Sequence, residues 1–152
     1  MSLRPKYENP LDDLSQRLRL APAITPELIS AVIAQACVRF AAQGAAAKAK
    51  VNRLIEAGAH TDAALALIEF ELPQWKLRRL LFEDGEWHCA LSKQPQLAIG
   101  LDELAEAGHE VLALAILSAL IEARRSTSAS ASTAVPQVWS VPSQVMCCDN
   151  FA

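Results

Sequence analysis

The sequence predicts an α+β protein, mostly helical, with one antiparallel β-hairpin packed against a long apolar C-terminal helix. Three observations carry this: alanine-rich stretches with apolar residues at three- and four-residue spacing, an Asp84-Gly85 pair between two alternating segments, and the almost unbroken apolar run Val111–Ile121. The chain has 152 residues, of which 52 % are apolar and only 5 % aromatic. Much of the apolar count is alanine, a strong helix former and a poor core filler, so the composition favours helices packed closely through small side chains. This length suits one core with appendages. We expect an N-terminal arm with a short helix over 1–24, a single α+β domain over 25–125, and a Ser-rich linker with a flexible or docking tail over 126–152.

In the arm, Leu11, Leu14, Leu18 and Leu20 approach helical spacing between Pro10 and Pro22. Thr25-Pro26-Glu27 is the strongest helix start, with a capping hydroxyl, a proline whose missing N–H costs nothing there, and an acid beside the exposed N–H groups. Leu28, Ile29, Val32, Ile33, Ala36, Cys37 and Phe40 then form one apolar stripe. Gly44 ends or kinks that helix, and a second runs from about Ala45 to Ala57 with Gly58 as its stop. Thr61 is the expected cap of a third helix ending near Pro73. Residues Ile68–Leu72 alternate like a strand, but the alanines and the cap favour helix.

Trp75–Phe82 and Trp87–Ser92 read as strands around a type I′ turn, because Gly85, and less easily Asp84, accept positive φ. That turn pairs Phe82 with Trp87, Leu80 with Cys89 and Arg78 with Leu91, placing Phe82, Leu80, Trp87, Cys89 and Leu91 on the core face. The opposite face holds Leu77, Arg79 and Leu81. A lone ribbon is marginal in water, so the Val111–Ile121 helix must cover it. Asp102–Ala107 is expected to begin that helix or to form a short one. After Arg125 the run Ser126–Thr133 has nothing to bury, and disorder is expected there. The segment Val135–Ala152 is read as disordered or as an extended peptide that docks on an edge or a partner.

The order helix, Leu72-Pro73-Gln74-Trp75, strand, Asp84-Gly85 turn, strand, closing helix Leu112–Leu120 resembles small uncharacterised bacterial and phage-encoded proteins with an ABA-sandwich-like α-β-β-α core. The likeness covers about Thr61 to Arg125 and implies a compact sandwich of helices about a small sheet. It brings no reaction, ligand or functional residue.

A net charge of −3 and a pI near 5.6 provide no long-range field to gather nucleic acid or an anionic membrane. Met1–Pro10 lacks the apolar core of a signal peptide and no apolar run is long enough to span a bilayer, so a cytoplasmic protein is expected. Four cysteines then read as reduced thiols, with Cys37 and Cys89 as small core residues; the adjacent Cys147 and Cys148 suit neither a disulfide nor a zinc knuckle. His60, His88 and His109 form no recognisable set, and His88 and Cys89 point to opposite strand faces, so no metal, cofactor or catalytic residue is assigned. No phosphate loop, nucleophile elbow or dinucleotide fingerprint occurs, so nothing argues for an enzyme. The acids, Glu71 and Asp102 among them, read mostly as first-turn or solvent-facing groups.

Two functional readings remain. The first is a non-enzymatic interaction or accessory protein, a homo-oligomer or partner binder, that self-associates through the Val111–Ile121 helix or the Leu28–Phe40 stripe. The second is a small-molecule or anion binder with a pocket at the hairpin, using Trp75, Arg78, Arg79 and His88. Nucleic acid is disfavoured because Glu83, Asp84 and Glu86 offset the basic residues near Trp75.

Overall fold

A computed structural model describes residues 9–132. The expected docking tail, with Cys147 and Cys148, lies outside them.

Helix α1 spans Pro10–Leu20, with the Asn9 side chain accepting from the Leu11 N–H at 2.9 Å and Pro10 in the first turn. Helix α2, Pro26–Ala36, starts as its sequence predicts: Thr25 Oγ1 accepts from the Leu28 N–H at 3.2 Å. The apolar stripe continues to Phe40 but the helix does not. It breaks at Cys37 (φ −113°, ψ 63°), and Val38–Ala41 forms a separate turn, α3. Helix α4 covers Ala45–Glu56, and Gly58 supplies the positive φ of 79° that turns the chain into α5, His60–Glu71. Ala59, not Thr61, precedes α5, so Thr61 lies within the first turn and does not cap it. The alternation at Ile68–Leu72 is overridden, because the helix buries Ala64, Leu67, Ile68 and Glu71 on one face.

Strands β1 (Lys76–Glu83) and β2 (Glu86–Ser92) form the expected hairpin, with Asp84 at φ 54° and Gly85 at φ 82°. Phe82 pairs with Trp87 and Leu80 with Cys89 as the turn dictates. The Arg78–Leu91 pairing does not occur. A bulge between Leu77 and Arg79 sets Leu77 opposite Leu91 and Arg79 opposite Ala90. The extra residue moves Leu77 onto the face of Leu80 and Phe82, although Leu77 and Phe82 are an odd five positions apart.

The expected helix at Asp102–Ala107 is also overturned. Leu104–His109 is a third strand, β3, antiparallel to β2, making a meander ordered β1-β2-β3. Alanine and glutamate favour helix by weak local preference, whereas β2 would otherwise leave an open row of backbone N–H and C=O groups along this side; six paired positions decide the matter. Gly108 fits this strand because it lies opposite His88, and a Cβ there would sit 3.1 Å from His88 Nδ1. From α5 onward the order is therefore α-β-β-β-α.

The last helix, α6, spans Leu112–Ser132 and continues past Arg125 into the Ser-rich stretch expected to be disordered. Alanines alternate with the serines there, and Thr127 returns its hydroxyl to the Ala123 carbonyl at 2.9 Å. His109 Nδ1 accepts from the Val111 N–H at 2.9 Å, satisfying a donor at the start of α6.

Helix α6 is the axis of the fold. It packs on β2 and β3 on one side and on α1, α2 and α5 on the other. Leu114, Ile116, Leu117, Leu120 and Ile121 are fully enclosed, each worth about 1.5–3 kcal/mol of apolar burial. The face of the sheet turned to α6 carries Cys89 and Leu91, both buried, with Leu80 and Trp87 partly covered and Phe82 57 % exposed. The core face expected from the sequence is thus present and closes most tightly around β2.

Candidate functional site

The four residues singled out at the hairpin do not converge. Trp75 is 4 % exposed, and Lys93 Nζ lies 5.2 Å from its ring centroid. Arg78, at the bulge, is spent on structure: its guanidinium donates to Asp102 Oδ2 at 2.6 Å and to the Leu97 carbonyl at 2.9 Å. Arg79 reaches over the small Ala90, its pairing partner, to Glu106 at 3.1 Å, with both side chains about half exposed, so the bridge is worth at most about 1 kcal/mol. His88 lies over Gly108. The groove that Trp75 lines with Lys76 and Leu77 includes none of the other three.

Asp102 organises the loop between β2 and β3. Its enclosed carboxylate also accepts from the Ser92 hydroxyl and from the Gln94 N–H at 3.1 Å. Burial acts to raise its pKa, but hydrogen bonds from Ser92, Gln94 and Arg78, with the Arg78 charge, outweigh that and hold it below its ordinary 3.8. This group fastens the loop to the bulge of β1. It is a clasp, and nothing in it is open to a ligand.

The more unusual polar group is Glu71, read from sequence as an ordinary surface acid. Its side chain is fully buried, and Oε1 accepts from the Phe40 N–H at 2.9 Å, thirty-one residues away in sequence, closing an N–H of α3 that no local side chain caps. Oε2 lies 3.8 Å from Arg124 Nε of α6, too far for a hydrogen bond, and neither atom has a hydrogen-bond partner among the described residues. Cys37 is enclosed beside them. Burial, then the Glu71 charge, push its thiol up to about 12 against the opposing effect of Arg124; burial alone takes Cys89 to about 11. Both are poor nucleophiles in the folded chain.

Beside this pair lies a small cleft of about 70 Å³, walled by Leu72, Pro73, Gln74 and Trp75 after α5 and by Arg39, Glu71, Arg124 and Thr127. Leu72, Pro73 and Trp75 also wall a second, larger groove of about 370 Å³, completed by Leu65, Ile68, Glu69, Lys76 and Leu77. The sequence carried a signal for Glu71: it falls four residues after Leu67 and seven after Ala64, an acid on the apolar face of its own helix. Arg39 and Arg124 carried none, because their sharing one cleft depends on how α3 and α6 are placed about the end of α5.

Among the described residues, no three His, Cys, Asp or Glu side chains are placed to hold a metal ion, and no helix is long and apolar enough to cross a membrane. No protein-family model, curated protein or solved structure matches the chain.

Proposed function

We propose that this chain is a non-enzymatic interaction protein that self-associates through the inner face of β1. The apolar run of α6 offers little surface for that purpose, since residues Ala113–Leu117 and Ala119–Ile121 are at most 3 % exposed. The Leu28–Phe40 stripe is likewise turned inward at Ile29, Val32, Ala36 and Phe40. The observation that carries the proposal is the exposure of Leu77 (43 %) and Phe82 (57 %) on one face of β1, beside the apolar groove along α5.

A second copy suits this face better than an unrelated partner because the strand is self-complementary. With two β1 strands antiparallel about a two-fold axis, Leu77 of each copy meets the partner's Phe82 across the shared face. The bulge and the basic residues discourage continuous edge pairing, so the contact is side chain to side chain. Sedimentation velocity across a concentration series tests this. The parent chain should dimerise, and Leu77→Asp with Phe82→Asp should yield a folded monomer; a parent chain that stays monomeric at high micromolar concentration refutes the proposal.

A further inference from the structure

We propose that the cleft where the α5–β1 connection meets α6 binds a small organic carboxylate, with Arg39 and Arg124 as its guanidinium clamps. Two cationic side chains and one carboxylate line it. That carboxylate, on Glu71, is enclosed and already holds the Phe40 N–H. One positive charge is therefore left over. Arg39 forms no ion pair among the described residues, and Arg124 has only the long 3.8 Å contact to Glu71, with its Nε unpartnered. Buried polar groups are ordinarily satisfied, so a guanidinium fixed in place by charge yet short of acceptors marks a position where an anion completes the set.

The shape and field narrow the chemistry. A volume of about 70 Å³ admits a carboxylate with a short stem and little more. Leu72, Pro73 and the Trp75 ring provide apolar wall for that stem, and the Gln74 amide is a further donor. The cleft sits at the C-terminal end of α5, where carbonyl groups point outward and the field is negative. Phosphate and sulfate, with higher charge, prefer the opposite end of a helix or a nest of main-chain N–H groups. A monoanion is what two arginines beside one carboxylate balance. This site shares Leu72, Pro73 and Trp75 with the groove beside β1, but Arg39 and Arg124 line only the cleft, and the proposal stands whether or not the chain dimerises.

The test is an NMR titration of the full-length, nitrogen-15-labelled chain with acetate, butyrate, inorganic phosphate and chloride at matched ionic strength. Butyrate and acetate should shift the Trp75 indole and Gln74 amide resonances saturably, and chloride should not. Arg39→Ala, a change at an exposed side chain, should leave the spectrum folded and weaken butyrate binding roughly tenfold or more. Absence of saturable shifts at tens of millimolar carboxylate overturns the proposal. So does phosphate binding as tightly as butyrate, or unchanged affinity in Arg39→Ala.

Discussion

Glu71 offers the sharpest check on how this fold is held together, because its two carboxylate oxygens have different duties. Oε1 satisfies the Phe40 N–H and Oε2 faces Arg124 without a hydrogen bond. Glu71→Gln keeps an acceptor for Phe40 and removes the charge, whereas Glu71→Ala removes both and leaves a buried N–H unpaired. An unsatisfied buried donor costs about 1–3 kcal/mol, and the vacated space adds to that, so Glu71→Ala should lose about 2–4 kcal/mol. Glu71→Gln should lose about 1 kcal/mol, because Arg124 is 24 % exposed and water screens much of what its charge contributes. Arg124→Met should cost about 2 kcal/mol, less than the roughly 3–5 expected for a fully buried pair, through the uncompensated Glu71 charge. Urea denaturation of the three variants at pH 7 measures these differences. Equal losses for Glu71→Gln and Glu71→Ala would refute the claim that the hydrogen bond to Phe40 is the larger contribution.

Three further outcomes follow from the same packing. Leu117→Ala, in the enclosed middle of α6, should cost about 2–5 kcal/mol by urea melt, and a loss under about 1 would show that α6 is not the centre of the core. Because the folded-state pKa of Asp102 lies below its ordinary 3.8, its stabilising contribution is present above that pH and is lost as pH falls through the folded value. Asp102→Asn should therefore be less stable than the parent at pH 7, with the gap closing in acid; a constant gap in melts from pH 7 to pH 2 would contradict the clasp. Site-resolved mass spectrometry after iodoacetamide labelling should find Cys37 and Cys89 protected in the folded chain and reactive in urea, given thiols raised to about 12 and 11. Rapid native labelling of either would contradict its enclosure.

Which parts of this fold were legible in the sequence follows from the range of the interactions that set them. Thr25-Pro26-Glu27, Gly58 and Asp84-Gly85 act through their own backbone, and each ends or starts an element where local chemistry requires it. The third strand was not legible because Leu104–His109 has nothing of a strand's local preference; it is a strand only because β2 lies beside it. The bulge was hidden for the same reason. Nothing near Arg78 in sequence announces that Asp102 and the Leu97 carbonyl will hold its guanidinium, yet that hold occupies the residue standing out of register. The engagement of Arg78 was hidden with it, and an arginine held by a carboxylate and a carbonyl has little left for a ligand.

The greasy run Val111–Ile121 shows how the same pattern supports opposite conclusions until its neighbours are known. A helix apolar all round must be covered, and either a second chain or the rest of its own chain will serve. Here β2, β3, α1, α2 and α5 surround it, so its hydrophobicity is consumed within the monomer. That arrangement has a geometric consequence for the sheet. One helix is about 10 Å across with its side chains, and neighbouring strands are spaced about 4.8 Å apart, so α6 seated over β2 and β3 reaches only part of the way across β1. The bulge then turns Leu77 toward the side α6 leaves open, in line with Phe82. Apolar surface remains at β1 because the central helix was placed to close the other edge. Any substitution that shifts α6 toward β1 should bury Leu77 and weaken the proposed self-association, while uncovering Ala105 and Ala107 on β3.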